Sequence, residues 1–289
     1  MTNSWFLFRA FILLSFLAAA GLIWLPQSAT SNNSSELVVR FLDVGQGDAV
    51  HIMTPDGFEL LIDGGPSAAV LRELAVGRSF FDHSIDMVIA THPDTDHVAG
   101  LVDVLERYEV HLLLETAAES DSPAALAYGI VAELEGAQIV SAQAGQVFQL
   151  GASTTVRVLS PHGDTSTWRS NPSSVVVQVI YGDIEFMLTG DAPDSIENYL
   201  VKQYGETLES DVLKLGHHGS KTSTSELFLD TVQPEFAVVS AAVGNRYGHP
   251  HQEVMQRVFT RDIKSSHTGT DGTVIFKSDG KQVWIEQSD

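Results

Sequence analysis

The sequence predicts an α/β protein in which two mixed β-sheets pack face to face with helices on the outside. Three observations lead there. Short apolar runs of strand length recur from Leu37 to the C-terminus. The first of them follow one another directly, whereas later ones alternate with helix-length segments. The second half then repeats the first half's order of elements, without a residue-level repeat. A chain of 289 residues that is 44% hydrophobic has the apolar material for one large core.

Ala10 to Leu25 is an uninterrupted run without formal charge, preceded by Arg9 and stopped by Pro26. It is longer than an ordinary signal-peptide core and shorter than the roughly 20 residues that span a bilayer, so a cleaved signal and a retained anchor are both open. Ser28-Ala29-Thr30 is a mediocre cleavage site, which tips the reading toward an anchor. The expected organisation is a signal peptide or membrane anchor over 1–25, a polar linker over 26–36 and a catalytic domain over 37–289. The protein is then exported to the periplasmic or extracellular side, secreted or anchored.

From Leu37 the runs at 37–44, 49–54 and 59–63 read as a meander separated by Gly-rich turns. A helix from about Ala68, a strand at 86–91, a helix from about Asp96, a strand at 110–115 and a helix at 123–134 follow. Runs at 137–142, 146–150, 154–160 and 174–190 read as strands, then a helix near 193–204 and a strand at 211–216. Strands at 236–242 and 273–277 bracket a helix near 251–260, and 282–287 closes the chain.

The 16 Lys+Arg against 37 Asp+Glu give a net charge of −21, which excludes a broad electrostatic grip on nucleic acid or anionic lipid. A nucleic-acid substrate is held locally, if at all. Without cysteine there is neither a disulfide framework nor thiolate-bound zinc, leaving imidazole and carboxylate as the strong metal ligands.

The strongest local signal is Thr91-His92-Pro93-Asp94-Thr95-Asp96-His97, where an apolar strand gives way to a helix. The turn can aim His92 and Asp94 at one point, and Asp96 and His97 at a second point a few ångströms away, a spacing that suits a pair of cations. Helix capping accounts for one of these carboxylates and not for four ligand-type groups. Asp191 ends the run FMLTGD, and His217-His218 end the run DVLKLGHH. Gly-Asp alone is common in turns. At strand ends in this order, the three segments offer what a two-metal site needs, a bridging carboxylate and a further imidazole among them.

HPDTDH, LTGD, DVLKLGHHGSKTSTS and NRYGHP, together with FLDVGQGDAVHI and LIDGG, resemble the metallo-β-lactamase superfamily, and in particular the hydrolase domain of ComEC-type DNA-uptake proteins. The similarity covers about Leu37 to Ile285. It implies an αββα sandwich with the metal site in the loops between the sheets. Carried over by position, His92 and Asp94 hold one metal, Asp96 and His97 the other, and Asp191 bridges. His217, which directly follows a Gly at a strand end, completes the second site, and His218 stands behind it or meets substrate. Asp94 departs from the superfamily's usual second His, and no plain middle His ligand occurs between His97 and Asp191. His162, Asn171 and Ser174 lie near that place. So oxygen-rich a set shifts preference from zinc toward manganese for the two divalent ions.

Asp63, in LIDGG, is expected to orient a ligand, and Asp43 and Asp48 either do the same or serve their turn. Ser220 and Lys221, before a helix capped by Ser223 or Thr224, form an expected phosphate cradle. Asn245, Tyr247 and His249 form a loop that can meet a leaving group. His51, His83 and His111 read as ordinary core or surface residues.

The expected chemistry is hydrolysis by metal-activated water, with Asp96 in the catalytic site and His218 or His249 protonating the departing oxygen. The ComEC resemblance implies a phosphoester substrate, DNA among the candidates. At most one membrane segment means a separate channel partner if the chain works in uptake. The alternatives are a lactone, β-lactam or thioester hydrolase, a small-phosphoester hydrolase of the envelope, and a non-catalytic metal-binding module.

Overall fold

The computed structural model describes residues 36–79 and 82–286, so the expected leader and the linker up to residue 35 lie outside the described residues. The first half runs β1 (Leu37–Phe41), β2 (Val50–Met53), β3 (Glu59–Ile62), α1 (Ala69–Ala75), β4 (Ser84–Ala90), α2 (Thr95–Leu105), β5 (Glu109–Glu115), α3 (Pro123–Glu135) and β6 (Gln138–Ser141). The second runs β7 (Val147–Leu150), β8 (Thr154–Ser160), β9 (Val176–Tyr181), β10 (Ile184–Leu188), α4 (Asp194–Tyr204), β11 (Val212–Lys214), α5 (Glu226–Val232), β12 (Phe236–Val239), α6 (Gln252–Phe259), β13 (Lys264–His267), α7 (Thr268–Asp271), β14 (Val274–Ser278) and β15 (Val283–Ile285).

These strands form an eight-stranded sheet, ordered β15-β14-β1-β2-β3-β4-β5-β6, and a seven-stranded sheet, ordered β13-β12-β11-β10-β9-β8-β7. In the first, β1 through β3 pair antiparallel, and β3 through β6 pair parallel. In the second, β8 through β10 pair antiparallel, and β10 through β13 pair parallel. The expected repetition of element order is thus a repetition of pairing sense as well.

Three apolar clusters correspond to the three interfaces of a four-layer αββα sandwich. One joins the inner faces of the sheets, with Phe276 edge-on to Phe41, Phe186 and Phe236 at 5.5–6.2 Å. A second packs α1 to α3 on the first sheet, and a third packs α4 to α6 on the other. β4 is covered on both faces, which is why it reads as a continuous apolar run rather than an alternating one.

Two local expectations change. β13, Lys-Ser-Ser-His, has no apolar period to betray it and is held at the sheet edge by its parallel ladder to β12. α5 is capped by Ser225, whose side chain accepts from Phe228 N, instead of by Ser223 or Thr224. Among the described residues no helix is long and apolar enough to cross a membrane.

Candidate metal centre

Loops at the carboxyl ends of strands are the usual place for ligands in α/β folds, and each sheet here changes pairing sense once along its order. Here the changes fall between β3 and β4 and between β10 and β11, and the site is built from the loops after those four strands. Asp63 follows β3, residues 91–97 follow β4, Asp191 follows β10 and His217-His218 follow β11.

Glycines let these loops close on one another. A Cβ on Gly64 would lie 2.5 Å from Leu101 N, and one on Gly100 would lie 1.9 Å from Gly64 O, so the Asp63 loop and α2 meet backbone to backbone. Gly64 N donates to His97 O (2.8 Å) and Gly100 N to Gly65 O (2.9 Å). That contact brings Asp63 within reach of the first turn of α2.

Asp63 accepts from Thr91 N (2.8 Å), from Thr91 Oγ1 (2.7 Å) and from His97 Nδ1 (2.7 Å). With its hydroxyl hydrogen given to Asp63, Thr91 Oγ1 accepts from His92 Nδ1 at 3.0 Å. On the other side of the site, His218 Nδ1 donates to Ser240 O at 2.8 Å. Each of the three imidazoles therefore carries its proton on Nδ1 and turns the Nε2 lone pair inward. The three Nε2 atoms and Asp191 Oδ1 are buried without a hydrogen-bond partner.

These atoms converge. Asp191 carboxylate oxygens lie 3.8 Å from His92 Nε2, 3.4 Å from His97 Nε2 and 3.6 Å from His218 Nε2, and His218 Nε2 lies 3.4 Å from Asp96 Oδ2. Ligand atoms bound tetrahedrally at about 2.1 Å stand roughly 3.4 Å apart, so the spacing suits ligands of shared ions. His92-His97-Asp191, Asp96-His97-His218 and Asp48-Asp191-His218 each form a set able to hold one. Asp94 occupies the N-cap of α2 but makes no side-chain cap bond, and its Oδ2 lies 3.6 Å from His92 Nε2.

The electrostatics demand positive charge. Burial alone would raise the Asp191 carboxyl, yet His218, His97 and His92 together hold it well below the usual carboxylate range. Burial alone would lower the imidazoles, yet Asp191 and Asp63 raise His97 well above its ordinary value, and Asp191 and Asp48 push His218 up to about 10. The residues present fit divalent cations: unpartnered inward lone pairs, carboxylates held ionised and imidazoles locked from behind.

The neighbouring histidines both reach Asp191 and differ in burial. His217 lies at the rim, its Nε2 3.7 Å from Asp191 Oδ2 and its Nδ1 3.1 Å from Thr222 Oγ1 and 3.3 Å from Asn171 Nδ2. His218 is the buried one facing Asp96 and Asp191. Both adopt the left-handed conformation, with φ of 48° and 56°, as does Asp63 at 58°. Such non-glycine residues are uncommon and persist where surrounding contacts over-determine them, often at functional sites.

Two residues behind the site carry more than the sequence suggested. Asp48 is buried, 2.5 Å from Lys214 Nζ and 3.2 Å from His218 Nδ1. Lys214, itself buried, also donates to Gly190 O (3.1 Å) and Leu215 O (3.2 Å). The available signal was a lysine inside the otherwise apolar run DVLKLG.

The expected phosphate cradle does not form, because its amides are already used. Ser220 N donates to His217 O and Lys221 N to His251 Nδ1, and Thr222 N and Ser223 N turn back on Ser220. The amides of Thr224 and Ser225 are held by the buried Glu197 carboxylate. The Lys221 side chain borders a separate cavity beside Gln252 and Glu253. Asn245 is likewise spent on its own loop, donating to Ala242 O and His249 O and accepting from the amides of Tyr247 and His249. Tyr247 remains half-exposed with Arg246 4.8 Å over its ring, and both border a cavity that reaches Asp96. Burial, then the neighbouring His217, His218 and His251, lower His249 to about 4. A group held that low is largely neutral near pH 7, which does not favour the expected acid role. His218, its Nε2 turned inward toward Asp96 and Asp191, is no better placed for it.

A family model described as the metallo-beta-lactamase superfamily matches residues 42–243. ComE operon protein 3 of Bacillus subtilis (strain 168) is 31% identical over 84% of this chain and 33% of its own length. Competence protein ComA of Neisseria gonorrhoeae is 31% identical over 90% of this chain and 35% of its own. The chain thus spans about a third of the length of these relatives. Among solved structures, Igni18, a metallo hydrolase from Ignicoccus hospitalis KIN4/I, superposes with a TM-score of 0.56 at 16% identity, covering 83% of this chain and 98% of that one. At that identity the likeness is one of fold.

Proposed function

The chain belongs to the metallo-β-lactamase superfamily, and from that membership we propose that it is a hydrolase working with two divalent ions on a phosphodiester. The observation that carries the reading is the convergence of three Nδ1-locked imidazoles and the Asp191 carboxylate, all buried and all without a hydrogen-bond partner at the inward atom. His92, Asp94, Asp96, His97, Asp191 and His218 would hold the ions. When bound, such ions polarise the scissile oxygen and bring the pKa of water to about 7. Asp63 and Ser240 O hold the Nδ1 protons of His97 and His218 and so aim their Nε2 atoms, and Asp96 lies where the ligand set meets the cavity of Tyr247 and Arg246. Three carboxylates beside three imidazoles favour manganese over zinc.

The competence relatives support DNA as the substrate and DNA uptake, beside a separate channel, as the setting. With a net charge of −21, the strand is gripped locally, Arg246 and Tyr247 being the candidates. The apolar run before Pro26 supports an exported chain, anchored or secreted. One observation favours a second reading, hydrolysis of a lactone, β-lactam or thioester: Glu197 fills the amides that would have selected phosphate.

The test is hydrolysis of bis(p-nitrophenyl) phosphate, single-stranded DNA and nitrocefin by the full chain, with manganese or zinc supplied in turn. Turnover of the two phosphodiesters, lost in Asp191→Asn together with bound metal, is expected. Turnover confined to nitrocefin would move the chain to the second reading. A metal-loaded protein inert toward all three would leave a binding module.

A further inference from the structure

Two cavities border the ligand set, and they differ in charge. The one reaching Asp96, about 440 Å³, carries Arg246 beside Pro66, Ala242 and Tyr247. The other, about 370 Å³, is bordered by His92 and Pro93 and lies between the segment after β5 and helix α3. Its wall mixes small apolar groups, Ala90, Ala117 and Ala125 among them, with the polar Thr116, Ser120 and Tyr128. Both volumes fall within the range of small-molecule sites.

No lysine or arginine borders the second cavity, whereas Glu115 and Glu119 do. Glu115 accepts from Tyr128 Oη at 2.7 Å, and burial raises its carboxyl above the usual range. The cavity repels anionic groups and offers apolar surface with a hydrogen-bonding floor. An anionic arm of a substrate is drawn to the Arg246 side instead.

Gly129 is an independent sign. It stands in the middle of α3, where glycine is the least favourable residue after proline. A Cβ added there meets nothing within 4 Å, so close packing does not require the glycine. What its missing side chain does is leave the cavity open.

We infer that the cavity beside His92 seats an uncharged, ring-sized group of the substrate next to the bond that is cleaved. This rests on the hydrolase reading above and adds a direction to it: neutral arm at His92, anionic arm at Asp96.

The test uses the full chain loaded with manganese, titrated calorimetrically with diphenyl phosphate and with dimethyl phosphate. The wild type is expected to bind the diphenyl ester at least about tenfold tighter, the effect of burying a ring. Gly129→Leu improves a helix position and fills the cavity. It should melt at or above the wild-type temperature, lose that ratio and bind dimethyl phosphate as the wild type does. Equal binding of the two esters by the wild type overturns the inference. So does a Gly129→Leu protein that keeps the preference, since the ring then sits elsewhere, or one that binds both esters more weakly in proportion. Hydrolysis of bis(p-nitrophenyl) phosphate by the same wild-type sample tests the parent reading separately: no turnover with an intact binding ratio sinks the hydrolase and spares the seat.

Discussion

Replacing Lys214 by Met keeps most of the buried stem and removes the ammonium. Gly190 O at 3.1 Å and Leu215 O at 3.2 Å lose a donor, and Asp48 Oδ2 at 2.5 Å loses its ion-pair partner. The last belongs to a carboxylate as buried as the lysine, each 2% exposed at the side chain. Breaking such a pair from one side costs about 3–5 kcal/mol, mostly the penalty of an uncompensated buried charge. For a domain of this size each kcal/mol lowers the melting temperature by roughly 2–4 °C, so a drop of roughly 6–20 °C is expected. If the cost is the stranded charge, Asp48→Asn on the same background returns much of it, and the double-mutant cycle gives a coupling of about 1.5 kcal/mol or more. Urea unfolding in a chelator is the assay, because ions bound only to the folded chain would mask part of the loss. A Lys214→Met protein within about 1 kcal/mol of the wild type, or two single changes that simply add, refutes the reasoning.

Asp63→Asn keeps the shape but presents at most one acceptor oxygen to three donors, so His92 and His97 lose their common anchor. Calorimetric metal titration should then find affinity about 10–100-fold weaker, and unchanged affinity would show that Asp63 does not hold the ligands. Glu185, at the start of β10 and away from the ligand set, is raised from an ordinary 4.5 to about 7 by burial and by the neighbouring Asp211, Asp183 and Glu209. A carboxyl raised in the folded state contributes stability below pH 4.5 that is lost as pH climbs to about 7. Glu185→Gln should therefore melt above the wild type at pH 8 and not at pH 4, by no more than about 1 kcal/mol at a partly exposed position. A gain of equal size at both pH values would argue against a titrating origin.

Much of the fold is legible in the sequence because its signals are local. Strand-length apolar runs and Gly-rich turns announce the elements, and HPDTDH announces the cation-binding loop by residue type alone. The misses have a common cause, which is that a side chain's partner comes from elsewhere in the chain. Ser220 to Ser225 has the composition of an anion cradle, and only the arrival of Glu197 from α4 takes the amides away. His217 and His218 are equivalent by pattern, and what sets them apart is Ser240 O after β12, which claims Nδ1 of the buried His218. Asn245 reads as a recognition residue until its four bonds to its own loop are counted against its capacity. β13 escapes because a polar edge strand needs only its backbone to pair.

The repeated pairing sense of the two sheets explains why the ligands come from such distant stretches. Asp63 and Asp191 hold corresponding places, each after the last antiparallel-paired strand of its half, and residues 91–97 and 217–218 each follow the first strand added in parallel. Two sheets packed inner face to inner face bring these four loops together, so the ligand set is a property of the paired architecture. What separates the roles of the two aspartates is the supply of donors. Asp63 meets Thr91 N, Thr91 Oγ1 and His97 Nδ1, and its lone pairs are consumed in fixing imidazoles. Asp191 receives no such donors: its Oδ1 is buried and unpartnered, and its own amide is turned away to Ser174 Oγ at 3.2 Å. A buried, ionised oxygen facing three imidazoles needs positive charge between them, and a divalent cation is one species able to meet all four groups at once.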